Sequence, residues 1–109
     1  MKRMAMVIGL NADKVEEYKR LHADVWPAVL SKIAECNIRN YSIFLKEPEN
    51  LLFGYWEYHG ADFAEDARRM AGDEITRRWW QLCEPCQVPL QTRRAGEWWA
   101  SMEELFHVE

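Results

Sequence analysis

Two side chains that can exchange protons, Tyr18 and His22, are four residues apart in the strongest helical pattern of the sequence. That spacing places them on one helix face. Trp26 follows on the same face, and Pro27, which cannot donate a backbone hydrogen bond, should kink or restart the helix. Carbonyls freed by the break favour a protonated imidazole, so we expect the pKa of His22 at or above its usual value of roughly 6.5. His22 could then donate a proton near neutral pH. The alternative is that all three side chains only pack against a sheet.

The composition bounds the size of the protein and the classes of its ligands. The 109 residues make a single domain, which we place at 1–109. Apolar residues make up 49% of the chain and six are tryptophans, which is more flat hydrophobic surface than a small core needs, so part of it should bind a ligand. The net charge is -4 and the three arginine doublets are interspersed with acids, so nucleic acid is not an expected partner.

The N-terminal segment imitates the start of a secretory signal, because residues 4–10 are apolar and follow Lys2 and Arg3. Asn11 and Asp13 end the apolar run, no small-residue cleavage site follows, and the segment is far too short to span a bilayer. We therefore predict a buried strand in a cytoplasmic protein that does not bind membranes. The odd number of cysteines, three, also fits a reducing compartment.

The Cys83-x-x-Cys86 pair suggests redox or zinc chemistry, but it straddles a helix end at Pro85, whereas a reactive pair belongs at a helix N-terminus. A structural zinc ion normally takes four ligands, and the remaining cysteine and histidines are scattered. We expect the cysteines to be small buried hydrophobes. Neither a metal nor another cofactor is expected.

Hydrophobic periodicity predicts the element order β, α, β, β, α, β. The predicted strands cover residues 4–10, 38–45, 51–58 and 102–108. The second and third strands should form an antiparallel hairpin. A first helix is predicted from an Asp13-x-x-Glu capping box to a left-handed stop at Asn37. A second is predicted from Asp62, with a break at Gly72, an end at Pro85 and a loop from there to Gly96.

This order predicts an α+β domain with the ferredoxin-like βαββαβ topology, a single sheet with its helices on one face. The other face of such an apolar sheet needs cover, and a second copy of the chain is the simplest cover. We therefore expect a homodimer of the dimeric α+β barrel type.

Several short motifs are distributed along nearly the whole chain. The combination of Tyr-x-x-x-His-x-x-x-Trp-Pro with a later Arg-Trp-Trp is far more specific than either part alone. With these motifs the chain resembles the L-rhamnose mutarotase family of small dimeric enzymes. The matching stretches are Glu16-Glu-Tyr18-x-Arg20-x-His22-x-x-x-Trp26-Pro27, Asn40-Tyr41-Ser42-Ile43, Asn50-Leu51-Leu52-Phe53, Arg78-Trp79-Trp80 and Leu105-Phe106.

The resemblance implies a mutarotase that interconverts the α and β anomers of L-rhamnose or a similar deoxy sugar. It implies that His22 is the proton donor and that Tyr18, Tyr41, Trp79 and Trp80 contact the sugar. Adjacent helical residues point about 100° apart, so one of the two indoles should stack on the sugar while the other packs beneath it or donates its N–H to a hydroxyl. Residues 83–99 depart from the family pattern, which leaves the preferred sugar open.

The chemistry is within reach of such a site, because opening and closing a sugar ring needs proton transfers alone, and a positioned acid or base contributes about 10² to 10⁴-fold. Two alternatives remain from the sequence. One is a dimeric α+β barrel enzyme of the monooxygenase or haem-degrading kind, since one fold supports many chemistries. The other is a non-catalytic sugar-binding domain.

Overall fold

The computed structural model describes all residues 1–109 and contains four α-helices and five β-strands. The helices are α1 (Val15–Ala23), α2 (Pro27–Glu35), α3 (Phe63–Gly72) and α4 (Glu74–Cys83). The strands are β1 (Lys2–Leu10), β2 (Ile38–Lys46), β3 (Leu51–Tyr58), β4 (Gln87–Val88) and β5 (Ala100–Met102). None of the helices has the length and apolar character that a bilayer-spanning segment requires.

The strands form one curled antiparallel sheet, in which the long strand β1 is central. On one side β1 pairs with β3, which pairs in turn with β2, as the predicted hairpin requires. On its other side β1 pairs with both short strands, β4 near its C-terminal end and β5 near its middle. The predicted α+β class is therefore confirmed.

The prediction for the last strand is wrong in position, since β5 ends at Met102, where 102–108 was predicted to begin. Met102 pairs with Ala5, and Glu104 makes an ion pair with Arg3 in which Nε and Oε1 are 2.6 Å apart. Arg3 is next to Lys2, the first residue of β1, so residues after Glu104 have almost no part of β1 left to pair with. Phe106 is accordingly 81% exposed. The short strand β4 lies within the segment that was predicted to be a loop.

The helix break at Pro27 is confirmed, because α1 ends at Ala23 and Pro27 is the first residue of α2. The predicted cap at the start of this region is wrong. The side chain of Asn11 accepts a hydrogen bond of 2.9 Å from the backbone N–H of Asp13, and a 3₁₀ turn at residues 12–14 precedes α1. An earlier side-chain oxygen thus caps the segment, and Asp13 lies inside the turn instead of before it.

The bend that follows α2 and an irregularity in β2 orient the hairpin. Asn37 has φ of 66°, which confirms the predicted left-handed stop. The β2–β3 register shifts between Arg39 and Ser42, and Asn40 has φ of 51°. A bulge of this kind bends a strand and redirects its side chains. It lies directly before Tyr41, which reaches the cavity described below.

The hydrophobic core lies between the helices and one face of the sheet. The sheet contributes Ile8 and Leu52, both almost completely buried, and the helices contribute Val29 and Trp79. Asp62 caps the start of helix α3, because its side chain accepts a hydrogen bond from the N–H of Glu65 at 3.2 Å, as predicted. The helices and the core thereby hold a set of aromatic side chains over the sheet.

Candidate functional site

A cavity of about 270 Å³ lies between the helices and the sheet. It is lined by 17 residues, of which 13 are hydrophobic, and the five side chains predicted to form a site are all among them: Tyr18, His22, Tyr41, Trp79 and Trp80. This volume is close to the lower end of the roughly 300–1,000 Å³ that ligand pockets occupy. The cavity therefore suits a small ligand with substantial apolar surface.

His22 is in the last turn of α1 and its ring orientation is set locally. Its Nδ1 is 2.9 Å from the backbone carbonyl oxygen of Tyr18. A carbonyl only accepts hydrogen bonds, so Nδ1 must carry the hydrogen and Nε2 remains available to a ligand. The ring stacks on Tyr18, with centroids 4.2 Å apart, and meets Trp79 edge-on at 5.4 Å.

The expected pKa of His22 is wrong in direction. Burial of the imidazole lowers its pKa from the ordinary value of 6.5, and the opposing hydrogen bond from Nδ1 to the Tyr18 carbonyl is the smaller effect. Loss of solvent around the ring therefore lowers the pKa by more than nearby backbone carbonyls raise it. At neutral pH the resting His22 is neutral, and its free Nε2 is a proton acceptor.

The two tyrosines keep their protons throughout the physiological range. Tyr18 is 4% exposed, and burial raises the pKa of its hydroxyl well above the ordinary value. Tyr41 keeps 39% of its surface exposed, yet the apolar surroundings of its hydroxyl raise its pKa to about 12. Both groups are therefore neutral hydroxyls that can form hydrogen bonds with a ligand.

Trp79 and Trp80 both line the cavity, but they differ in burial. Trp79 is 6% exposed and belongs to the core, where it also meets Trp26 edge-on with centroids 5.3 Å apart. Trp80 is only partly buried and packs against that core. Trp79 thus belongs to the core and contacts the ring of His22 edge-on, and Trp80 offers the more accessible indole.

Two further cavity residues, Gln87 and Trp98, were missed by the sequence analysis. The Gln87 amide donates to the hydroxyl of Tyr18 at 3.0 Å, and the indole N–H of Trp98 donates to the Gln87 amide oxygen at 2.7 Å. Both belong to the segment that was assigned no role. The excess of tryptophan was the one signal for Trp98, whereas no sequence pattern marked Gln87.

The cysteines are buried thiols. Burial raises the pKa of Cys83 to about 12 and that of Cys86 to about 11, so neither forms a thiolate near neutral pH. This agrees with their predicted role as small buried hydrophobes. No three His, Cys, Asp or Glu side chains come together in an arrangement that suits a metal ion.

Sequence comparison relates this chain to one family. The sequence model of L-rhamnose mutarotase matches residues 3–108. An L-rhamnose mutarotase from Bacillus subtilis is 39% identical over 85 residues, which cover 78% of this chain and 79% of the relative. Another from Oceanobacillus iheyensis is 34% identical over 85 residues, with the same coverage of both chains.

Two solved structures are similar to the whole chain. The crystal structure of an L-rhamnose mutarotase from Formosa agariphila superposes with a TM-score of 0.76 at 25% identity and covers 100% of both chains. Tetracenomycin F2 cyclase from Streptomyces glaucescens, a type-II polyketide cyclase, has a TM-score of 0.71 at 14% identity and covers 100% of this chain and 98% of its own. The second likeness concerns the fold alone.

Proposed function

This chain belongs to the L-rhamnose mutarotase family, and from that membership we propose that it interconverts the α and β anomers of L-rhamnose or a similar deoxy sugar. The observation that carries the proposal is the cavity, which joins a neutral histidine and two tyrosine hydroxyls to a largely apolar wall. A deoxy sugar offers hydroxyls to the polar groups and a methyl group to the wall. An ordinary aldose would place a hydroxymethyl group there, which costs free energy unless it finds hydrogen bonds.

In the proposed mechanism, His22 carries the proton between two oxygens of the sugar. Nε2 takes the proton from the anomeric hydroxyl as that oxygen becomes the carbonyl and the bond from C1 to the ring oxygen breaks. The imidazolium then donates the same proton to the ring oxygen, so His22 ends neutral. Rotation about the C1–C2 bond presents the other face of the aldehyde, and the reverse transfers close the ring. No electrons leave the sugar, so the reaction needs no redox cofactor.

Exchange NMR on a panel of aldoses, with and without the protein, tests this proposal. We expect L-rhamnose to show faster anomer exchange with protein than in buffer, and sugars with a hydroxymethyl group at the corresponding position to show less acceleration. Exchange at the buffer rate for every sugar would contradict the proposal. Binding without acceleration would instead support the non-catalytic sugar-binding alternative.

The monooxygenase or haem-degrading alternative rests on the fold, and fold does not determine chemistry. The likeness to a polyketide cyclase makes the same point for this architecture. Membership of the mutarotase family therefore decides between the two classes of enzyme. A carbohydrate isomerase with three free buried cysteines is suited to the reducing cytoplasm, which we propose as its location.

The pH dependence of kcat/KM reports the resting charge of His22. Because burial places its pKa below 6.5, the neutral form dominates above that pH and the protonated form gains population as pH falls. We expect kcat/KM to decrease as pH is lowered through a pKa below 6.5 and to be level on the neutral side. A decrease toward high pH near neutrality would show that the free enzyme must carry an imidazolium.

Replacing Trp80 by Ala should weaken sugar binding by about 1 to 3 kcal/mol, the value of one aromatic contact and one hydrogen bond. Because Trp80 is only partly buried, the fold should suffer less than binding. Sugar titrations followed by intrinsic fluorescence measure the dissociation constant. Leu82→Ala, at an exposed position of the same helix, is the matched control and should bind normally. Normal binding by Trp80→Ala would remove the indole from the site.

We also propose a homodimer that covers the open face of the sheet. Phe44 is 66% exposed on β2, and Met102 on β5 and the C-terminal Leu105 and Phe106 are exposed as well. Light scattering should give twice the 13.0 kDa of one chain. Phe44→Glu should shift the protein toward monomer, whereas Leu30→Glu, at an exposed position of α2, should not. A monomer mass for the wild type at micromolar concentration would contradict the dimer.

A further inference from the structure

The hydrogen-bond chain from Trp98 through Gln87 to Tyr18 has a definite direction. We propose that Gln87, held by Trp98, is a positioning residue that makes the Tyr18 hydroxyl a hydrogen-bond donor to the sugar. This inference rests on the proposed function and adds to it the groups that orient the substrate-binding tyrosine.

Trp98 fixes the orientation of the Gln87 amide. The indole nitrogen of Trp98 is 2.7 Å from Oε1 of Gln87, and an indole N–H only donates. The partner atom must therefore be the amide oxygen, which leaves the amide NH₂ to face Tyr18. Its Nε2 is 3.0 Å from the tyrosine oxygen. Chemistry thus assigns the two amide atoms, which are otherwise hard to tell apart.

The hydrogen bond from Gln87 in turn restricts the hydrogen of the Tyr18 hydroxyl. The oxygen already accepts from Gln87, and among the protein hydrogen bonds the hydroxyl donates none. Burial raises its pKa well above the ordinary value, so the hydrogen stays on the oxygen. Tyr18 lines the cavity, and the remaining direction for its O–H is toward a ligand there. A sugar oxygen is the acceptor that would satisfy it.

The chain of hydrogen bonds restricts how the Tyr18 hydroxyl can bind the sugar. A tyrosine hydroxyl without a partner can rotate and either donate or accept, so it does not discriminate between donors and acceptors on the sugar. Because the Gln87 amide donates to the Tyr18 oxygen, the hydroxyl is left to donate its own hydrogen. Successive hydrogen bonds also polarise one another. The sugar must then present a lone pair to Tyr18, which selects one orientation of the substrate beside His22.

Substitution of Gln87 tests this arrangement. Gln87→Glu keeps the shape of the side chain, but at pH 8 an ionised carboxylate accepts hydrogen bonds from both neighbours and so draws the Tyr18 O–H away from the sugar. We expect it to weaken L-rhamnose binding and to lower kcat/KM for exchange by about tenfold. Gln87→Met removes both bonds without redirecting the hydroxyl and should cost about threefold. Gln91→Glu, at an exposed position shortly after β4, is the control and should match the wild type.

A double-mutant cycle with Tyr18→Phe separates positioning from a structural role. If Gln87 acts through the hydroxyl, Gln87→Glu should have no further effect in the Tyr18→Phe background. A loss of packing around β4 would persist in that background. The cycle is measured on the sugar dissociation constant as well as on exchange, so it remains complete if Tyr18→Phe exchanges too slowly. Trp98→Phe removes the indole N–H and so leaves the Gln87 amide free to turn. This variant is measured in the same cycle, and it takes the place of Gln87→Glu if Gln87→Glu does not fold.

The possible outcomes test the proposed function and the role of Gln87 separately. A wild type that neither binds L-rhamnose nor accelerates its exchange overturns the proposed function together with this inference. A wild type that is active, with Gln87→Glu unaffected or equally impaired in the Tyr18→Phe background, overturns this inference alone. Loss in the wild-type background that vanishes in the Tyr18→Phe background supports it.

Discussion

His22→Ala should slow anomer exchange by about 10² to 10⁴-fold, the contribution of one positioned acid or base. The variant should stay folded, because His22 is only half-buried and its ring contacts Tyr18 and Trp79 at one side of a cavity. A decrease of about 1 kcal/mol in the free energy of unfolding is typical for such a position. Exchange NMR and a melting curve on the same sample measure both quantities.

The matched control is His59→Ala, which removes an exposed histidine outside the cavity and should leave exchange unchanged. The loss of activity at low pH that we expect of the wild type should also be absent from His22→Ala. A folded His22→Ala variant with full activity would remove the histidine from the mechanism. Lower activity in proportion to the unfolded fraction would instead assign it a packing role.

Trp79→Ala should have the largest effect on stability, a decrease of about 3 to 5 kcal/mol in the free energy of unfolding. Its indole is 6% exposed and packs between the helices and the sheet, so truncation leaves a void that the edge-on neighbours His22 and Trp26 cannot fill. In a domain near this size, each kcal/mol lost from the free energy of unfolding lowers the melting temperature by about 4–8 °C. Denaturant titration of the variant and the wild type measures the difference.

Trp79→Phe is the companion variant, because it keeps an aromatic ring in the core and should recover most of the lost stability. Trp80→Ala provides the contrast on the same helix, with a smaller loss of stability and a clear loss of binding. A Trp79→Ala variant with wild-type stability and weakened sugar binding would contradict this assignment. Trp79 would then be a direct sugar contact, as the family resemblance implied.

Features set by neighbouring residues were determined by the sequence itself. The helix break at Pro27 follows from a missing N–H, and the turn at Asn37 follows from the tolerance of asparagine for positive φ. The pairing of Tyr18 with His22 follows from helical periodicity, since a spacing of four residues stacks side chains on any regular helix. The hairpin of β2 and β3 required only alternation and a short polar turn.

The tertiary structure decided everything that depends on residues distant in sequence. The pKa of His22 is lowered, and not raised as the helix break suggested, because the surrounding residues exclude water from its ring. The last strand ends at Met102, opposite Ala5, and only three residues of β1 remain beyond that pair, a limit that periodicity in 102–108 could not reveal. Gln87 meets Tyr18 across 69 positions of sequence, and only the path of the chain after α4 brings them together. Local sequence determines elements and faces, whereas burial and long-range pairing determine charge states and contacts.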